Sequence, residues 1–221
     1  MQFDKEFMIK HIPDFVRAAG LTLWIGVIAI LLSLIVAVLY AIILYFRVPV
    51  LGKIVRVHVE VARNTPLLIQ LFFLYYGLPS VGVKLSEMTV VFIAMMFLGG
   101  GYFTEVLRSG LEAVAKSQEE SGLAIGLSKW QLFRYIVMPQ AIRVSIPSLF
   151  TNVIFLLKET TVVSAVAVPE LLYTTTGYIA LYYKTYEMLF MMTACYLIIF
   201  VPLSFLLSSI ERRYQNGTYR I

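Results

Sequence analysis

Charge is scarce in this chain. Lysine, arginine, aspartate and glutamate together make up 14% of the 221 residues, against 60% hydrophobic residues and a mean hydropathy of +0.84, which places it among polytopic membrane proteins. Its one cysteine, Cys195, rules out an intrachain disulfide and reads as a small buried hydrophobe. The two histidines, His11 and His58, have no partners at metal-ligand spacing, and neither HExxH nor CxxC occurs, which argues against a structural metal. The only aspartates, Asp4 and Asp14, sit near the N-terminus, so no serine–histidine–aspartate arrangement is recognisable and intramembrane proteolysis is disfavoured. No GxxxxGKS or GxxxxGKT loop is available to cradle phosphates with backbone amides. If a nucleotide powers this protein, another chain binds it.

What the chain has is long uncharged runs. They extend from Ala18 to Phe46, Asn64 to Val83, Met88 to Thr104, Val144 to Leu157 and Met188 to Ile210. A hydrocarbon core of ~30 Å takes about 20 apolar residues per helix, so these runs predict an all-α fold with five transmembrane helices in one domain spanning residues 1–221. The fourth run is short and is expected to extend through polar residues toward Gln140 and Glu159, which must then face protein or water. Pro147 is expected to kink or end a helix, and Pro169-Glu170 to follow a short outer segment rather than a sixth span. Residues 1–17, with Phe3, Phe7, Met8, Ile12 and Phe15 among charges, suit an interfacial helix lying on the membrane. The long apolar run that follows reads as an uncleaved anchor, not a signal peptide.

Orientation follows from the cations, because cytoplasmic loops carry the excess. Arg47, Lys53, Arg56, Arg108, Lys116, Lys129, Arg134, Arg143, Arg212, Arg213 and Arg220 put eleven on one side; Lys5, Lys10, Arg17, Lys84, Lys158 and Lys184 put six on the other. The N-terminus is thus expected outside and the C-terminus inside. The same placement explains the net charge of +5, with anionic lipid headgroups and not nucleic acid as the counter-charge.

The cytoplasmic insert over residues 116–139 is the polar exception in an oily chain. Ser117-x-x-Glu120 and Ser128-x-x-Gln131 both fit a capping box, so two short helices are expected to start eleven residues apart. Gly126 stands where the first should stop, since glycine tolerates the left-handed conformation past a helix end. A protein without its own motor needs a docking surface, and Leu123, Ile125, Leu127, Leu132 and Phe133 offer apolar anchors for one. Glu119, Glu120, Lys129 and Arg134 form its rim.

These residues carry a resemblance. The chain resembles the permease subunits of ATP-binding cassette importers of the polar amino acid class, the histidine, glutamine and arginine type. Their coupling signature runs Glu-Ala-Ala, three residues, Gly, nine residues, Ile-x-Leu-Pro; here Glu120, Gly126, Ile136 and Pro139 stand at that spacing, with Ser121 and Gly122 for the alanines and Met138 for leucine. Gly122 is expected to loosen its helix by about 0.5–1 kcal/mol relative to alanine. Three further blocks are similar to the family: Arg63 to Gln70 running into Tyr75 to Pro79, Tyr102 to Arg108, and Asn152 to Thr161. The last has Glu159-Thr160-Thr161 where the family usually shows aspartate, threonine and serine.

The resemblance implies a five-span permease of the bacterial cytoplasmic (inner) membrane, with no catalytic residues and no cofactor of its own. Its implied partners are a dimer of ATPase subunits holding ATP and magnesium, a second identical or homologous permease, an external solute-binding protein, membrane lipid and an amino acid substrate. Glu120, Ser121, Gly122, Gly126, Leu127, Ile136 and Pro139 would couple it to the ATPase. Polar residues inside the bilayer point to the substrate route: Gln70, Asn152, Lys158, Glu159, Thr160 and Thr161 are the candidates. Asn152 and Glu159 lie seven apart on one helix face. Lys158 and Glu159 equally fit pairing with neighbouring helices or reaching headgroup water, and Gln70 a helix–helix hydrogen bond. Glu60 with Arg63 and Glu105 with Arg108 read as gate or bundle-stabilising pairs. Tyr173, Tyr178, Tyr182, Tyr183 and Tyr186 fit an interfacial belt, with Thr174-Thr175-Thr176-Gly177 as an irregular outer loop. The alternatives are a permease for cystine or an organic acid, or a non-transporting scaffold or channel.

Overall fold

The computed structural model describes residues 4–216, so Phe3 and Arg220 lie outside the described residues. Every regular element among them is helical: α1 (Lys5–Tyr45), α2 (Pro49–Asn64), α3 (Leu67–Ser80), α4 (Glu87–Glu112), α5 (Lys116–Ala124), α6 (Lys129–Val166), α7 (Leu171–Tyr182) and α8 (Thr185–Asn216). Four of these, α1, α4, α6 and α8, are long and apolar enough to cross a membrane, and α3 is a shorter apolar helix. α6 is continuous through its polar ends, as its short apolar run demanded, with Pro147 inside it. Its first α turn, Lys129–Leu132, runs into a π-helical turn over Phe133–Val137, and it closes with a 3-10 stretch over Thr160–Val166.

α4 is the hub of the bundle, because three consecutive glycines leave three of its directions without side chains. Successive residues on a helix point about 100° apart, so each glycine faces different neighbours. A methyl group on Gly99 would strike Ser33 of α1 and Leu156 of α6; one on Gly100 would lie 2.9 Å from Val36 of α1; one on Gly101 would lie 2.7 Å from Ala62 of α2. α1 contributes small buried residues in turn, Ala29, Ser33, Ala37 and Ala41, while its Gly26 lies against Leu157 and Thr160 of α6. Where lipid is as apolar as leucine, this close backbone approach, more than hydrophobic burial, drives association. Further along α4, Gly110 presses on α6, where an added methyl group would strike Ser145 and sit 2.6 Å from the Ala141 carbonyl oxygen.

Polar side chains pin the joints. Tyr40 of α1 and the Phe97 carbonyl of α4 lie 2.8 and 2.9 Å from the two ring nitrogens of His58 on α2. A carbonyl only accepts, so Nε2 carries the proton and Nδ1 accepts from the tyrosine hydroxyl. At the N-terminal end of α1, Thr22 accepts from the Leu171 amide at 3.2 Å, and Tyr178 of α7 donates to Asp14 of α1 at 2.8 Å. Lys184 closes on Asp4 at 2.9 Å. The buried Glu170 caps α7 by accepting from the Tyr173 amide at 2.8 Å, and Tyr196 of α8 donates to its other oxygen at 3.4 Å. Burial pushes the Glu170 carboxyl up to about 7.

Several expectations are corrected. The first connection is not a loop: Pro49 presets φ at the first helical position, and Gly52, Val55, Val59 and Ala62 give α2 a buried face between its charges. The run from Asn64 to Val83 is therefore split. Thr65 precedes Pro66 and is extended (φ −118°, ψ 131°), which ends α2 and starts α3 anew. From Lys5 the N-terminal segment is continuous with α1 and packs Phe15 against Leu171 and Met188. Thr174 to Gly177 lie within α7 and are not an irregular loop; the threonine hydroxyls bond back to carbonyls of the preceding turn.

Two predictions follow from the packing and the buried carboxyl. Gly110→Ala forces α4 and α6 apart against a backbone oxygen and should cost about 1–3 kcal/mol, whereas Gly20→Ala meets nothing within 4 Å and should be neutral or slightly stabilising; thermal unfolding of the detergent-solubilised complex measures both. For Glu170, the folded state holds its proton up to about 7 while the unfolded carboxyl releases it near 4.5. Stability from this group is therefore full below 4.5 and lost as pH rises through 7. Glu170→Gln should flatten that decline, and an unfolding profile with the same slope in both proteins would contradict it.

Candidate functional site

The α2–α3 break opens a cavity of about 500 Å³ between α2, α3, α4 and α6. Arg63 comes from the last turn of α2, Tyr102 from one residue past the glycine triplet of α4, and Phe155 and Glu159 from the end of α6. The break is stapled by Gln70, whose amide nitrogen donates to the Ala62 and Thr65 carbonyls at 3.3 and 3.1 Å and lies 2.9 Å from the Thr65 hydroxyl. Its oxygen is buried without a hydrogen-bond partner among the described residues.

A ladder of charges descends from this cavity along α4. The Arg63 guanidinium lies 3.6 Å from Glu105 and 5.8 Å from the centre of the Tyr102 ring. Glu105 is held more firmly by Arg108, whose Nη2 and Nε donate to its two oxygens at 2.7 and 2.9 Å. Arg108 also reaches Glu112 at 2.5 Å. A fork-to-carboxylate pair of this kind is the strongest side-chain geometry available, so Arg63, with one long ion pair and a ring contact, is the less tightly held cation. It also lines a second, wider cleft of about 1380 Å³ that runs past Glu105 and Arg108 to Lys116, Glu119 and Lys129 of the insert. Glu60 does not pair with Arg63; its carboxylate accepts from Asn64 at 3.1 Å.

Of the six residues expected along the substrate route, only Glu159 lines the cavity. Gln70 is the staple just described. The Asn152 amide donates to the Ser148 carbonyl at 2.8 Å, Thr160 is buried and donates to the Leu157 carbonyl at 2.6 Å, and Thr161 donates to the Lys158 carbonyl at 3.0 Å. Lys158 is exposed. A seven-residue spacing put Asn152 on the Glu159 face, but hydroxyl and amide groups in a helix bond back to the preceding turn when no ligand competes. Arg63 and Tyr102 were in recognised blocks, yet only the three-dimensional break brings them to Glu159.

The insert is two short helical stretches around a tight turn. α5 begins at Lys116 with Ala115 as its cap, so the expected Ser117–Glu120 box is not formed; the Ser128–Gln131 box is, with both hydrogen bonds present. The first helix thus starts at Lys116, ahead of the Ser117-capped position, while the second starts at Lys129 behind its Ser128 cap, as its spacing required. Gly126 is left-handed (φ 85°), and the Leu127 and Gly126 amides bond back to the Gly122 and Leu123 carbonyls at 3.1 and 3.0 Å, closing a Schellman turn. Gly122 does not simply loosen α5: a methyl group there would lie 2.5 Å from Leu132 and 3.2 Å from Ile136, so its absence is what lets the hairpin close. Leu132 and Phe133 turn inward and are buried, Leu127 and Ile136 are half-buried, and Glu120, Ser121, Gly126 and Pro139 are exposed beside Leu123 and Ile125.

A helical membrane protein with a polar cavity, a charged cleft beneath it and an exposed helical hairpin on the cleft's rim belongs to the class of transport permeases worked by a separate engine. Residues 29–216 match the family described as the binding-protein-dependent transport system inner membrane component, and the chain belongs to that family. It is similar to the glutamine transport system permease protein GlnP of Escherichia coli, with 32% identity over 215 residues covering 96% of this chain and 98% of the relative. It is similar too to the probable glutamine ABC transporter permease protein GlnP of Bacillus subtilis, with 37% identity over 173 residues covering 78% and 79%. The crystal structure of an amino acid ABC transporter with histidines superposes with a TM-score of 0.87 and 29% identity, covering 96% of this chain and 100% of that one. The chain is accordingly a multi-pass inner-membrane permease component. It is not catalytic, and ATP binds to a separate ATPase subunit.

Proposed function

We propose that this chain forms one half of the translocation pathway of an importer for polar amino acids, with glutamine the first candidate substrate. The observation that carries this reading is the cavity in which a guanidinium and a carboxylate, Arg63 and Glu159, share one wall system with the ring of Tyr102. A zwitterion needs both: its carboxylate goes to Arg63, where planar fork geometry suits it, and its ammonium to Glu159. With both cavity charges taken by the backbone groups of the substrate, an uncharged polar side chain fits best, in keeping with the glutamine permeases among the relatives. Gln70, Asn152, Lys158, Thr160 and Thr161 remain candidates as second-rank partners that leave their backbone bonds when substrate enters.

Five spans, α1, α2–α3 together, α4, α6 and α8, with the N-terminus outside and the C-terminus inside, agree with the distribution of cations. That topology places residues 116–139 in the cytoplasm. There Glu120, Ser121, Gly122, Gly126, Leu127, Ile136 and Pro139 shape the hairpin that meets one subunit of an ATPase dimer. A second permease, identical or homologous, completes the pathway, and an external solute-binding protein delivers substrate. Alternating access follows: the cassettes close on ATP, the hairpins move with them, and Arg63 exchanges between Glu105 and the substrate carboxylate as the cleft below opens.

The test is uptake and substrate-stimulated ATP hydrolysis by the complete complex in liposomes, across the amino acids, cystine and organic acids. Glutamine should stimulate both. Glu159→Gln removes a charge-assisted hydrogen bond worth about 1.5–3 kcal/mol and should raise KM roughly ten- to a hundredfold. Stimulation only by organic acids lacking an amine, with Glu159→Gln unchanged, would replace the amino acid reading; activity without any ATPase would replace the transporter reading by a channel. For the hairpin, Gly126→Ala strains a left-handed position by about 1–2 kcal/mol and should reduce stimulated hydrolysis, with Gly126→Asn recovering part of it because asparagine tolerates that conformation. Equal activity of the two variants would remove Gly126 from the coupling set.

A further inference from the structure

The insert is joined by the chain to α4 and α6, but its most concentrated aromatic contact is with α1, whose last helical residue precedes it by some 70 positions. Tyr45 and Phe46 at the end of α1 close on Trp130 and Phe133 at the start of α6. The ring centres lie 4.7 Å apart for Tyr45–Phe133, 5.5 Å for Phe46–Phe133, 5.9 Å for Phe46–Trp130 and 5.7 Å for Trp130–Phe133. Phe46 and Trp130 are nearly parallel, at 27°.

Both sides of this cluster are held for a purpose other than continuing a helix. On the α1 side, the Arg47 and Val48 amides bond back to the Leu44 and Ile43 carbonyls at 3.1 and 3.2 Å, a Schellman turn that fixes Phe46. Its left-handed residue is Arg47 (φ 53°), where glycine would be free of strain; a non-glycine residue persists there only when its surroundings over-determine it. On the α6 side, Phe133 is buried and is the first residue of the π-helical turn. Such a turn is a local widening frequently found at functional sites and at the kinks of long helices. It separates the aromatic stub of α6 from the long membrane part of the same helix.

We propose that Tyr45, Phe46, Trp130 and Phe133 form a mechanical joint that carries displacement of the coupling insert directly into the cytoplasmic end of α1. The π turn lets the rest of α6 swing as the insert moves. α1 then transmits the motion along its small-residue face to the α4 glycines and the cavity. Phe46 and Trp130 are positioning residues for coupling, acting on each other and not on the ATPase or the substrate. The inference rests on residues 116–139 being the coupling insert.

The experiment measures glutamine transported per ATP hydrolysed by the complete complex in liposomes, with binding protein, alongside the ATPase content of the purified complex. Phe46→Ala and Trp130→Ala should each lower the ratio about threefold or more, the low end of energies between contacting residues, and the double variant should be no worse than either single. Trp130→Phe, which keeps a ring, should restore most of the ratio, a rescue that loss of folding would not give. Additive losses, or an unchanged ratio in both single variants, overturn the joint. So does loss of the ATPase from the Trp130→Ala complex with Phe46→Ala silent, which would make Trp130 an ATPase contact. Glu120→Ala separates the two failures: if it lowers the ratio while the ring variants do not, only the joint is wrong; if it also changes nothing, the insert reading fails with it.

Discussion

Close backbone approach around α4 is the constraint on which the remaining geometry depends. Gly99, Gly100 and Gly101 let α1, α6 and α2 draw in on different sides, and Tyr102 and Glu105 follow within the next turn. Their positions relative to Arg63 and Glu159 are consequences of that approach. In a bilayer, helices gain little by burying leucine against leucine, so packing of small residues and satisfied polar groups decides which helices meet and at what depth. The same rule governs Gly110 against Ala141 nearer the insert.

The cavity costs an interrupted helix. A break at Thr65-Pro66 frees backbone carbonyls that must find partners in the protein or in the cavity beside them. Gln70 takes up two of those carbonyls and the Thr65 hydroxyl region at once. Below the break, Glu105 and Arg108 neutralise each other in a two-point pair and leave Arg63 with one long ion pair. The arrangement sets a two-point charge pair and a less tightly held guanidinium side by side at the edge of the cavity.

Much of this was legible in the residues. The oily runs marked the long helices, the polar ends of α6 were anticipated from its short apolar core, Gly126 carried the left-handed turn, and Ser128 with Gln131 formed the box their spacing required. The Glu105–Arg108 pair followed from its i,i+3 spacing. What escaped was set by contacts between distant segments. α2 read as a loop because its charges interrupt the apolar pattern, although its buried face is regular. Ser117 has no cap role because the helix starts two residues earlier, with Ala115 as its cap, where the chain leaves α4. Intrinsic propensity marks Gly122 only as a loosening residue, whereas Leu132 across the hairpin determines what fits there. The aromatic cluster of Tyr45, Phe46, Trp130 and Phe133 had no sequence signal at all, since its halves lie on separate elements.

The central claim is that the cavity beside Arg63, Tyr102 and Glu159 lies on the substrate path. The direct measurement is labelling of Tyr102→Cys by a membrane-impermeant thiol reagent in a Cys195→Ser background, where the introduced cysteine is the only one in the chain. The account predicts labelling from the cytoplasmic side without nucleotide, through the cleft that Arg63 shares with the cavity, and protection by glutamine. Absence of labelling from both sides throughout the ATP cycle, or labelling indifferent to every amino acid, would contradict it.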